Sequence, residues 1–217
     1  GYKDDFQVNV LPAGVDSMDI RYNVIQWVHR STRGWSYGAS ITDPRTGEII
    51  KGHVSLGSLR VRQDFLIAQG LSLEPFAQDQ IDPAMQELAL ARLRQLSAHE
   101  VGHTLGFAHN FAASAYGKVS VMDYPHPQLS LKDGTIDYSK AYEAGIGLWD
   151  KISVAYSYGD IPQGTEQTDY LSALLDKAFS QDLLFITDSD ARAASGSHAQ
   201  AHLWDNASNA AQGLEEI

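Results

Sequence analysis

Residues 96–110 read LSAHEVGHTLGFAHN and place His99, Glu100, His103, Gly106 and His109 in the pattern H-E-x-x-H-x-x-G-x-x-H. On a helix, His99 and His103 are four residues apart and project from the same face, so both imidazoles can reach one metal ion. Gly106 can adopt positive φ, leave the helix sharply and return His109 toward the same ion. Three neutral nitrogens with one open position describe a catalytic zinc site rather than a closed structural one. Glu100 follows the first histidine but lies about 100° around the helix. It is badly placed as a ligand and well placed beside a metal-activated water, where a carboxylate serves as general base.

Chance is a weak explanation for the full pattern. With 8 His and 18 Gly in 217 residues, shuffled chains would show it in roughly 3 of 100,000 cases. A second signal follows at Ser120, Val121, Met122, Asp123 and Tyr124.

With that pair of motifs the chain resembles the metzincin clan of zinc endopeptidases. The resemblance implies that Met122 lies in a Met-turn, as an apolar floor beneath the three imidazoles. It also implies that Tyr124 stands where some branches carry a tyrosine that binds zinc or donates to the oxyanion. More closely, the chain is similar to the Met-zincin domain of large secreted bacterial metalloproteases. That similarity rests on the motifs, on NVIQWVHRSTRGWSYGASITDPRTGEIIKGHVSLGSLRVRQD from Asn23 to Asp64, and on GLWDKISVAYSYG from Gly147 to Gly159. The implied fold is α+β: a mixed twisted sheet, a long zinc-binding helix, a Met-turn and a C-terminal helix. The implied reaction is hydrolysis of internal peptide bonds in a polypeptide bound as an extended strand. An extracytoplasmic location, whether secreted, periplasmic or cell-surface, is implied by the resemblance alone.

The elements that must position these residues follow from local patterns. FQVNVL at 6–11 alternates as a strand does, and Asn23–Val28 reads as a second strand. Runs from Tyr37 to Ile41 and Glu48 to Leu56 flank DPRTG, which is turn chemistry and predicts a β-hairpin. The resemblance makes His53–Gly57 the edge that receives substrate. Val61–Leu73 reads as a short helix and Leu73–Asp82 as a loop. Asp82 as N-cap with Pro83 at the first helical position starts a helix over Pro83–Leu105. Ala89, Leu93, Leu96, His99 and His103 form its buried stripe, with Arg92 and Arg94 toward solvent. Leu129–Asp137 reads as a loop, Tyr142–Tyr158 as a helix ended by Gly159, Tyr170–Phe179 as an amphipathic helix and Leu183–Thr187 as a short strand.

Residues 1–160 are assigned to the peptidase-like domain and 161–217 to a C-terminal extension or the start of a following region. Metzincins begin with a strand and a long helix, which residues 1–20 cannot both hold. Those elements are therefore expected upstream or replaced. Asp188 and Asp190 suggest calcium only faintly, because no calcium-loop signature surrounds them. His198 and His202 share helical spacing but lack a third ligand.

Composition excludes several classes. The chain carries 27 acidic and 16 basic residues for a net charge of -11, which argues against nucleic acid as partner. It has no cysteine, so disulfides and thiolate metal sites are impossible. No apolar run is long enough to span a bilayer. The rival to the peptidase reading is a zinc-bearing, non-catalytic binding or scaffold module of a larger surface protein.

Overall fold

A computed structural model describes residues 6–32, 34–71 and 83–215. Among these, the strands are β1 (Val24–Val28), β2 (Tyr37–Thr42), β3 (Ile49–Gly57), β4 (Ser130–Lys132) and β5 (Thr135–Asp137). The helices are α1 (Leu59–Gly70), α2 (Pro83–Thr104), α3 (Leu148–Tyr158), α4 (Gln167–Phe179), α5 (Asp188–Ala191) and α6 (Ala210–Glu215). The fold is α+β with a mixed sheet.

The main sheet runs β1-β3-β2, with β1 parallel and β2 antiparallel to β3. The Asp43–Gly47 turn closes the β2–β3 hairpin, and Gly47 adopts φ 78° there. Strand β3 is central, paired with β1 along His53–Gly57 and with β2 up to Ser55, so His53–Gly57 is not a free edge for substrate. That expectation is corrected: the edges of this sheet are β1 and β2. Burial explains the order, because β3 carries Val54 and Leu56 at 2 % and 6 % exposure, whereas β1 and β2 are largely open.

Helix α2 crosses the sheet over β2 and β3, and two glycines allow the approach. A Cβ on Gly38 would stand 1.9 Å from the Glu100 carbonyl oxygen, and one on Gly52 would stand 2.9 Å from Thr104 Cβ. Helix α2 ends close to the expected residue. The Phe107 N–H donates to the Gly102 carbonyl and the Gly106 N–H to that of His103, while Gly106 takes φ 88°. This pair of bonds is a Schellman motif, the termination that a left-handed glycine permits. The expected Asp82 cap and the loop before it lie outside the described residues.

Other elements depart from expectation for local reasons. Residues 6–11 form no strand; Phe6, Val8 and Val10 are exposed, with no ladder for the alternation to serve. Residues 130–137 are a hairpin rather than a loop, turned by Asp133 and Gly134 at φ 52° and 79°. Helix α3 starts at Leu148, not Tyr142, because Gly145 has φ 88° and the Gly147 N–H is capped by the Asp150 carboxylate. Residues 183–187 form no strand, although the Phe111 N–H bonds to the Ile186 carbonyl.

The C-terminal third is packed into the body. Ile186 and Ala201 are buried with Phe111 and Ala112, and Ala178 and Leu183 with Trp149 and Ile152. Asn110, fully buried, fastens the two regions: its Nδ2 donates to the Leu184 carbonyl, its Oδ1 accepts from Ile186 and Ala112, and its N–H donates to the Met122 carbonyl.

The close crossing of α2 over β2 gives a direct test. Gly38→Ala should destabilise the chain by about 1–3 kcal/mol, because a methyl there meets helix backbone. Gly70→Ala, in open space at the end of α1, should be neutral or slightly stabilising. Urea titration of both variants reads the difference.

Candidate metal centre

The three histidines converge. His103 Nε2 stands 3.1 Å from His99 Nε2 and 3.2 Å from His109 Nε2. These ring nitrogens form one cluster within 4.8 Å of each other, the one group among the described residues with metal-ligand geometry.

Proton bookkeeping makes the arrangement informative. His99 Nδ1 lies 2.7 Å from the Val121 carbonyl, and His103 Nδ1 lies 2.8 Å from that of Phe107. His109 Nδ1 lies 2.6 Å from Asp188 Oδ2. All three partners are acceptors, so each Nδ1 carries a proton and each ring turns its Nε2 inward. Burial lowers the His99 pKa to about 3, helped by His103, His109 and Arg92, and lowers that of His103 too. Three Nε2 atoms thus crowd around one point, where their partial charges repel. A cation relieves that repulsion. Nitrogens about 2.0–2.1 Å from a tetrahedral zinc stand roughly 3.3 Å apart, so the donor set fits zinc.

Asp188 is the residue that sequence reasoning missed here. It lies 79 positions beyond His109, where the local sequence suggests calcium and only faintly. Its carboxylate instead fixes the tautomer and orientation of the imidazole, as carboxylates behind metal-binding histidines do. Asp190 accepts the Thr187 N–H and caps α5. His198 and His202 remain apart from the cluster, both exposed, and His126 reaches only the edge of Trp204.

Glu100 is 4 % exposed. Burial raises its pKa to about 7, opposed by a hydrogen bond from the Gly38 N–H and by Arg92. Glu100 joins His99, His103, His109, Tyr124, Ser36 and the β2 residues Tyr37 and Gly38 around an open cleft of about 440 Å³. Tyr124 lies with its ring centroid 4.8 Å from His109 and 5.4 Å from His99. Its other face stacks on Trp204 at 5.3 Å, and burial raises the phenol pKa.

Met122 is 3 % exposed and packs under α2, where a Cβ on Gly102 would stand 2.3 Å from its Sδ. Its turn is held by charge. Asp150 at the start of α3 accepts from Ser120 Oγ, from the Val121 N–H and from the Gly147 N–H. The Val121 carbonyl so positioned receives both His99 and Gln95. Arg92, expected toward solvent, is buried at 4 % exposure, bonded to Gln95 and lying 5.4 Å over the Tyr142 ring. The inward face of α2 at the site is therefore polar.

A family model described as Met-zincin matches residues 81–217. The chain belongs to the Met-zincin family. Membership places it in the metzincin clan. The matched span runs from α2 through the segment carrying Asp188 and Trp204, and the main sheet lies before it. No curated protein and no solved structure matches the chain. Among the described residues no helix of this Met-zincin is long and apolar enough to cross a membrane.

Asp123 offers a pH test away from the imidazoles. Its carboxyl accepts the Ser114 and Tyr124 N–H groups, yet burial raises its pKa from 3.8 to about 7. The folded state therefore binds this proton more tightly than the unfolded state. The stability contributed is complete below about pH 4 and is lost as pH rises through about 7. Chelator-treated protein should be less stable at pH 8 than at pH 5, and Asp123→Asn should reduce that difference in paired urea titrations.

Proposed function

We propose that this chain is a zinc-dependent endopeptidase in which His99, His103 and His109 hold the ion and Glu100 is the general base. The observation that carries the reading is the set of three inward Nε2 atoms beside a buried carboxyl whose pKa stands near neutrality. When bound, zinc supplies Lewis-acid polarisation and acidifies water. Glu100 takes the proton as the water oxygen bonds to the peptide carbon, then returns it to the leaving nitrogen as the C–N bond breaks. The Tyr124 phenol, whose pKa burial raises further above the ordinary tyrosine value, is protonated at neutral pH and can donate to the oxyanion, a contribution worth about 3 kcal/mol in comparable sites. Met122 is the floor of a Met-turn, holding the imidazoles from below.

An extended substrate would lie along β2. Residues 36–38 border the cleft, and β2 is the sheet edge beside Glu100. Main-chain pairing there would add a strand by β-augmentation. Family resemblance supports an extracytoplasmic setting, testable by locating the full-length protein in cell fractions.

Elemental analysis should give about one zinc per chain, the number that one three-histidine site accepts. Unfolded casein should be cleaved, and a chelator should abolish cleavage. Glu100→Gln should keep the metal while the rate falls about 10²–10⁴-fold, since ligation and proton transfer belong to different residues. A metal-loaded Glu100→Gln protein that cleaves at the wild-type rate would remove Glu100 from the mechanism. Zinc without cleavage in the wild type would favour the binding-module rival.

Asp188→Asn should weaken zinc affinity about 10–100-fold, as loss of the partner behind a metal-binding histidine does. Competition with a chromogenic chelator measures it. Unchanged affinity would reduce the Asp188–His109 bond to a surface contact.

A further inference from the structure

Beside Glu100 lies a second cavity, of about 270 Å³, that the reaction just described does not use. Its walls include Arg60 from α1, Arg92 and Leu96 from α2, and Trp204 from the C-terminal segment, and it opens onto His99, Glu100 and Tyr124. We propose that this cavity is a substrate subsite that selects a carboxylate next to the scissile bond, with Arg60 and Arg92 as its cationic wall. The inference deepens the peptidase reading and rests on it.

Charge accounting within the cavity carries the argument. Arg92 is 4 % exposed, and its Nε, like the buried Nε of Arg60, has no hydrogen-bond partner among the described residues. Arg60 is paired with Asp64 at 3.0 Å, while Arg92 bonds the Gln95 side chain rather than a carboxylate. The carboxyls on the wall are engaged by backbone: Glu100 receives the Gly38 N–H, and Asp123 receives the Ser114 and Tyr124 N–H groups. Among the described residues the ion pair at this wall is Arg60–Asp64, and the buried Arg92 has no carboxylate at ion-pair distance, in a place where unpaired charge is costly. Guanidinium groups with spare N–H donors match a carboxylate in geometry as well as sign. The position matters too, because His99 and Glu100 border the same cavity. A side chain seated there would belong to a residue beside the bond under attack.

The chain as a whole has the opposite character. A net charge of -11 repels acidic peptides at long range. A preference for acidic substrate therefore cannot come from the overall field and must come from a local pocket. Two sources could supply the carboxylate: an internal Glu or Asp side chain, or the free C-terminus of a short peptide.

The test uses zinc-loaded Glu100→Gln protein, so that peptide is bound and not consumed. Fluorescein-labelled Gly-Ala-Ser-Xaa-Ala-Ser-Gly amides with Glu, Gln or Lys at Xaa are titrated by anisotropy, alongside the Gln peptide with a free C-terminal carboxylate. The Glu amide should bind roughly tenfold more tightly than the Gln amide, the scale of one charge-assisted pair. Adding Arg92→Gln or Arg60→Gln should shrink that ratio to about threefold or less. Arg60 is partly exposed, so its variant keeps the test decisive if the Arg92 variant fails to fold; zinc content and thermal melts report folding. Tight binding of the free-acid Gln peptide alone would support the pocket and assign it to the C-terminus. Equal binding of all four peptides, or a Glu preference that survives both substitutions, would overturn the proposal. Wild-type cleavage without Glu preference would overturn the subsite and leave the peptidase standing. Glu-selective binding without any wild-type cleavage would leave the subsite and overturn the peptidase.

Discussion

Three imidazoles that all spend their Nδ1 protons outward must crowd their Nε2 atoms inward, and most of this structure follows from that constraint. Each outward acceptor has to be put in place by a different device. The Phe107 carbonyl comes from the chain reversal that Gly106 permits at the end of α2. The Val121 carbonyl comes from a turn that Asp150 grips through Ser120 and the Val121 N–H. The Asp188 carboxylate comes from the start of α5, delivered there by the Phe111–Ile186 backbone bond and by Asn110. The centre is consequently the meeting point of four stretches of chain.

The same accounting changes the meaning of the C-terminal third. Asp188 fixes His109, and Trp204 backs the Tyr124 ring, with the Trp204 N–H bonded to the Tyr124 carbonyl. Trp204 takes φ 62°, a backbone conformation that a bulky residue adopts only when its surroundings hold it there. These contacts make the segment a wall of the cleft. The family match extends over the same residues.

What could be read from the sequence was whatever is encoded locally. The histidine spacing, the Gly106 break, the β2–β3 hairpin and the length of α2 all depend on residues within one or two turns of each other. The Asp133–Gly134 hairpin was equally local, a turn signal between short apolar runs, and reading it as a loop undervalued that dipeptide. Other features were beyond local reading. The strand order that puts β3 in the middle depends on long-range pairing, and residues 6–11 show that alternation without a partner makes no strand. Asp188 could not be chosen from its neighbours, because nothing in DSDA distinguishes a carboxylate behind a histidine from one at a helix start. The signal that existed was the inventory: a third histidine needs an acceptor, and the acidic residues downstream were the place to look.

Arg92 illustrates why a hydrophobic stripe misjudged the helix that matters most. An amphipathic helix normally turns its apolar face inward, and Leu93 and Leu96 were read that way. Ala89 and His99 are buried as expected, but so are Arg92, Gln95 and Glu100, while those leucines are half-buried. Burying such a face opposes folding unless each group finds a partner. Gln95 bonds the Val121 carbonyl and receives Arg92, His99 bonds the same carbonyl, and Glu100 receives the Gly38 N–H. The helix is thus held by polar contacts to the turn and to β2 as well as by apolar packing. A helix oriented this way keeps its ligands and base at fixed angles to the cleft, where a purely apolar interface could slide. Among the groups left without a hydrogen-bond partner are two guanidinium N–H groups, of Arg60 and Arg92, beside the cavity where a substrate carboxylate would bind.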